Sequence, residues 1–140
     1  MKFIAVRAGA VGKGFFVALA LTGAALAQTS VPTEVTPLGG ATVTLHMHDF
    51  LTPEELATLR LVASNEQALA LFVPGKDGFA AMAASPEEGV IRDAKPVVSA
   101  VALAGLEDAA EAQTAALAAC DAARKTQSPC VIVLEVSPAE

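Results

Sequence analysis

The sequence has no tryptophan and no tyrosine, and its aromatic side chains are limited to six phenylalanines. Amphipathic aromatics are the usual platforms on which proteins stack sugars and nucleobases, so the chain lacks the commonest means of holding either. Positive charge is also scarce. Nine Lys and Arg face fifteen Asp and Glu, for a formal net charge of −6. That balance argues against nucleic acid and against anionic membrane surfaces as partners. The serines at 64, 85, 99, 128 and 137 sit in no G-x-S-x-G context, and no glycine-rich phosphate loop is present. The only cysteines, Cys120 and Cys130, do not form the C-x-x-C of a thioredoxin-type exchanger. Glu54-Glu55 and Glu87-Glu88 are adjacent pairs, unlike the opposed and spaced carboxylates of a glycosidase. No cofactor is expected.

What the chain does have begins at its N-terminus. Lys2, Arg7 and Lys13 precede a short apolar core from Phe15 to Ala24, and Ala25-Leu26-Ala27 is an A-x-A cleavage site that leaves Gln28 first. This is the pattern of a secretory signal peptide over 1–27. The core is short for a membrane span, although an uncleaved anchor is the alternative. No cysteine follows for lipid attachment, and no second hydrophobic span follows. The signal takes three basic residues and no acid, so the exported chain is more acidic still. The location expected is periplasmic or secreted, with no membrane association after cleavage.

Residues 28–40, rich in Thr, Pro, Ser and Gly, read as a flexible leader, and 41–140 as a single domain of ordinary size. Ala41 to His48 alternates, with Val43, Leu45 and Met47 on one side and Thr42, Thr44, His46 and His48 on the other, which predicts a half-buried strand. Thr52-Pro53-Glu54-Glu55 opens a helix, with Thr52 as N-cap, Pro53 at the first helical position and Glu55 completing a capping box. Leu56, Leu59, Leu61, Val62 and Ala63 form its apolar side. Residues 67–73 and 79–84 read as two strands of a hairpin joined through Pro74-Gly75-Lys76-Asp77-Gly78, and 96–103 as a fourth strand.

The chain is organised around its C-terminal third. Asp108 and Glu111 mark a helix start, no Gly or Pro interrupts the alanine-rich stretch that follows, and Arg124 and Lys125 crowd the end. The helix spans about 108–125, with Ala109, Ala112, Ala116, Ala119, Cys120 and Ala123 on one side. Such small side chains bury little area each. Cys130 to Val136 is then an apolar, β-branched run that predicts a strand covered on both faces or central to the sheet. Cys120 and Cys130 are either a disulfide or two buried thiols, and the export signal favours the bond, which stabilises by roughly 3 kcal/mol in the chain-entropy account. The order of elements predicts an α+β fold: a small, mostly antiparallel sheet with one long C-terminal helix and one short helix packed on it, both on one face.

One constellation could carry chemistry. On a strand His46 and His48 share a face, so both imidazoles could bind one metal ion, with Asp49, Glu54 or Glu55 as a third ligand. H-x-H also opens metal-dependent hydrolase barrels, but those need about 250 residues and this chain has 140. The alternative is two solvent-facing histidines on the polar side of an edge strand.

The signal peptide, F-L-T-P-E-E-L-A-T-L-R (50–60), A-L-A-L-F-V (68–73), S-A-V-A-L-A-G-L-E-D-A (99–109) and A-L-A-A-C-D-A-A-R…P-C-V-I-V-L-E-V-S-P (116–138) together resemble a group of small exported proteins of purple-bacterial relatives. The cysteine-bearing ending is also similar to a broader domain of secreted bacterial proteins, which implies a structural role for the pair. Members of the small group carry the label 5-aminolevulinate synthase. Such a synthase is similar to large pyridoxal-phosphate enzymes with a Schiff-base lysine, a big fold and a cytosolic substrate. After residue 27 this chain has only Lys76, Lys95 and Lys125, each in or beside a loop, so the residues speak against that activity. The resemblance implies a location and a fold and no catalytic residue. The reading of the sequence is therefore an exported small domain with a non-enzymatic binding or structural role, the alternatives being a metal-binding protein built on His46 and His48 or an enzyme whose site the sequence does not display.

Overall fold

The computed structural model describes residues 30–73 and 77–139. The signal peptide expected over 1–27, its expected Ala27/Gln28 cleavage site and part of the 74–78 turn lie outside the described residues. The elements in chain order are β1 (Thr33–Leu38), β2 (Ala41–His46), α1 (Pro53–Ser64), α2 (Glu66–Phe72), β3 (Phe79–Ala84), β4 (Ile91–Arg92), β5 (Lys95–Pro96), β6 (Val101–Leu106), α3 (Ala109–Ala123) and β7 (Val131–Pro138). The fold is α+β. Five strands form one antiparallel sheet in the order β1-β2-β7-β3-β6, and β4 and β5 form a separate two-stranded ribbon.

The apolar run after Cys130 takes the central place in the sheet, as its β-branched composition requires. β7 carries one extra residue relative to β3: Met82 is opposite Leu134 while Ala83 is opposite Ile132, so Val133 bulges. Val133 and Leu134 are both buried in the same core as a result. The alternation of β3 sorts the two cores. Ala80, Met82 and Ala84 pack with Leu59, Val62 and Leu45 under α1, whereas Ala81 and Ala83 pack with Ala112, Ala116 and Cys120 of α3. The helices therefore cover opposite faces, which corrects the expectation of one shared face. A sheet whose central strands are apolar on both sides leaves no wet face there, and α3 with its small side chains fits over the alanines of β3.

Other expectations change as well. Residues 66–72 are helix α2 and not a strand, so the expected hairpin does not form, and β3 pairs with β7 and β6 instead. Asn65 decides this: its Oδ1 accepts the Ala68 N–H at 2.9 Å and caps the helix, and no β-branched residue lies between 66 and 72 to oppose it. Within the stretch expected to be a flexible leader, Thr33–Leu38 is a strand in register with β2, Thr33 opposite His46 and Leu38 opposite Ala41. The fourth strand is shifted: a turn in which the Ala100 N–H bonds the Val97 carbonyl at 3.0 Å separates β5 from β6. Leu61, expected on the apolar side of α1, points outward, and Ala109 of α3 is also exposed.

Candidate functional site

His46 and His48 lie on the side of the sheet that α3 covers only in part. The strand expected over 41–48 ends at His46, and the His48 N–H bonds the His46 carbonyl at 3.1 Å in a turn, so it is this turn and not strand alternation that sets the two rings side by side. Their rings stand 6.3 Å apart at 29°, and Phe50 continues the row, 5.4 Å from His48. His46 Nε2 bonds Glu135 Oε2 at 2.6 Å across to β7. Gln113 of α3 donates to the other oxygen of the same carboxylate. His48 Nε2 bonds the Ile132 carbonyl at 2.7 Å. Both rings are half-buried rather than fully solvent-facing. Among the described residues no group of three or more His, Cys, Asp or Glu is arranged to hold a metal ion.

Glu55, one of the third ligands considered, is committed elsewhere. Its side chain is 1% exposed. Oε2 accepts the Thr52 N–H at 2.9 Å and closes the capping box, while the Thr52 hydroxyl accepts the Glu55 N–H at 3.1 Å. Oε1 accepts the Val90 and Ile91 N–H groups at 2.8 and 3.0 Å and Arg92 Nη1 at 2.5 Å. Burial pushes its pKa up, but the three backbone donors and the guanidinium together outweigh it and hold the carboxyl below the ordinary glutamate value. Glu55 thus ties the start of α1 to the β4–β5 ribbon and is a structural carboxylate.

Cys120 and Cys130 form a disulfide, with their Cα atoms 6.1 Å apart. Its surroundings are built from acids. Asp121 Oδ1 accepts the Cys130 N–H at 3.0 Å and Arg124 Nε at 2.7 Å, and these bonds, that of Cys130 first, lower its pKa. Glu88 accepts the Lys125 N–H at 3.1 Å, and Glu87 the Ser128 N–H at 3.3 Å. The Glu87-Glu88 pair therefore clasps the loop that carries the disulfide.

A cleft of about 110 Å³ opens between α2, the β1–β2 turn and the sheet. Its walls are apolar: Leu38, Leu69, Val73, Ala80, Ala104 and Val136. Glu66 and Asp77, both exposed, stand at its rim. On the sheet side it is lined by the small side chains Ala41, Ala80 and Ala104, and Gly39 at its edge holds a positive φ of 54° where a Cβ would collide with the Glu66 carboxylate. Among the described residues no helix is long and apolar enough to cross a membrane.

Sequence reasoning found the histidines and the cysteines but missed Gln113, Glu135 and the cleft. Glu135 had a usable signal, as the one charged residue inside the apolar run 130–136: a carboxylate on a central strand needs partners. The cleft had none, since it depends on α2 being a helix. Comparison with family models, curated proteins and solved structures gives no match for this chain.

Proposed function

We propose that the chain is an exported, disulfide-stapled domain of the periplasm or cell exterior that binds a small ligand and performs no chemistry on it. The observation that carries this reading is the cleft beneath α2. It has the apolar walls and few polar groups typical of a binding pocket, and neither the imidazoles nor the disulfide lines it. The export pattern at 1–27 and the Cys120–Cys130 bond support the location, because disulfides persist in oxidising compartments. The ligand is a compact apolar molecule bearing a positive charge. Glu66 and Asp77 at the rim and the acidic balance of the whole chain favour a cation over an anion.

The test is a titration of the exported protein with hexylammonium and with hexanoate, followed by amide chemical shifts. Hexylammonium should give saturable shifts at Leu69, Val73, Ala104 and Val136, and hexanoate should bind at least several-fold more weakly. Ala104→Phe fills the cleft and should abolish the shifts while the protein stays folded. Absence of saturable shifts with both compounds, or equal shifts in the Ala104→Phe variant, would contradict the reading.

A further inference from the structure

The two histidines are held in a way that packing alone does not require. His46 Nε2 faces a carboxylate oxygen of Glu135 at 2.6 Å, and His48 Nε2 faces the backbone carbonyl of Ile132 at 2.7 Å. An ionised carboxylate and a peptide carbonyl are acceptors only. Each imidazole must therefore donate from Nε2, and in each neutral ring the lone pair is left on Nδ1. The Glu135 carboxylate is itself fixed by Gln113 through its other oxygen. The His46 side chain keeps 23% of its surface exposed and His48 is likewise half-buried, so neither ring is sealed from solvent.

This is the arrangement found around metal-ligating histidines, in which one ring N–H is held by a carboxylate or a backbone carbonyl and the other nitrogen takes the metal. Here it occurs twice, on neighbouring rings of one face. We propose that His46 and His48 bind a late first-row divalent cation through their Nδ1 atoms. Imidazole pairs favour copper(II) over nickel(II) and zinc(II), so copper is the cation expected to bind most tightly. Since no third His, Cys, Asp or Glu joins them among the described residues, solvent fills the remaining positions and the site stays open. A metal–nitrogen bond is about 2.0 Å, so a shared ion requires the two rings, 6.3 Å apart, to turn toward one another. Both are half-buried, and His48 lies beyond the end of β2; the turn must keep the Nε2 bonds to Glu135 and Ile132 that hold the two N–H groups. The site is separate from the cleft and stands or falls independently of it.

The experiment uses the full exported protein, stripped with a chelator and titrated with copper(II) sulfate. The expected result is one equivalent bound, a paramagnetic resonance spectrum with coupling to two imidazole nitrogens, and loss of that signal in both His46→Ala and His48→Ala. Glu135→Gln should weaken binding by about 10- to 100-fold, and zinc(II) should bind more weakly than copper(II). Before any metal is added, long-range ¹H–¹⁵N spectra of the unmodified protein should show the Nε2–H tautomer for both rings, a reading that needs no variant to fold. Copper binding that survives in either histidine variant, no stoichiometric binding at all, or an Nδ1–H tautomer in either ring would overturn the proposal.

Discussion

Glu55 and Arg92 meet at 2.5 Å from opposite sides of a 37-residue separation in sequence, and the contact passes directly over Gly89. A Cβ on Gly89 would lie 2.5 Å from an Arg92 nitrogen and 2.6 Å from Glu55 Oε1, at a φ of +74°. Glycine is required there for both space and backbone. The loop, the carboxylate and the guanidinium form one unit that attaches the β4–β5 ribbon to α1.

Glu55→Ala should therefore destabilise the protein by about 2–3 kcal/mol, because it strands the buried Val90 N–H and the part-buried Thr52 and Ile91 N–H groups and leaves Arg92 without its carboxylate. Gly89→Ala should cost roughly 1–3 kcal/mol through the strained backbone and the displaced pair. The two effects should be strongly non-additive because they break the same contacts. Urea unfolding of the two single variants and the double variant measures this.

Acid should unfold the protein through its carboxylates. Glu55, Glu87, Asp121 and Glu34 all have folded-state pKa values below the ordinary 4.5 for Glu and 3.8 for Asp. For a depressed carboxyl the stabilisation is complete above the unfolded-state value and is lost as pH falls through the folded-state value. The urea midpoint should thus be flat near neutrality and fall progressively below about pH 4.5. Glu55 is the buried member, so Glu55→Gln should flatten the acid limb more than Glu34→Gln, whose ion pair with Arg60 is solvent-exposed.

The disulfide closes a short loop between α3 and β7, and removing it as the Cys120→Ala, Cys130→Ala pair should cost about 3 kcal/mol. Reduction of the unmodified protein should lower its melting temperature in the same direction. The effect should spread to the 124–128 loop, whose backbone Glu87 and Glu88 hold. Amide exchange of Lys125 and Ser128 should quicken on reduction.

The β4–β5 turn offers a stabilising change. Asp93 and Ala94 have φ of 52° and 58°, the positive pair that two-residue hairpin turns of the primed type demand and that Asn-Gly or Asp-Gly satisfies best. Ala94→Gly should raise stability by roughly 0.5–1 kcal/mol, the relief of a left-handed alanine exceeding the added freedom of the unfolded chain. A rise in the urea midpoint at constant slope is the expected readout.

How far the sequence shows all this depends on the kind of signal each residue carries. The capping residues Thr52, Glu55 and Asp108 act through bonds three residues away, and the structure makes those bonds where the pattern placed them. Glu111 differs slightly: it reaches back to the Glu107 N–H. The central position of Val131–Pro138 was legible because a β-branched apolar run has few other places to go. Ala68-Leu69-Ala70-Leu71 was not legible, since a short run of Ala and Leu fits either period and only the Asn65 cap settles it. The strand at Thr33–Leu38 was hidden because an edge strand, one side of it wet, tolerates Thr and even Pro37. At the candidate metal site, the sequence singled out His46 and His48, but the strand ends at His46 and a turn, not the i, i+2 alternation, brings the second ring beside the first. Their partners Glu135, Gln113 and Ile132 come from far along the chain, and no local pattern announces them.

Export and the disulfide together are tested most directly by a native, non-reduced intact mass of the protein recovered from the cell envelope. The result predicted is a chain that begins at Gln28 and is two hydrogens lighter than its sequence. A chain that begins at Met1, or one that keeps both thiols, would contradict it.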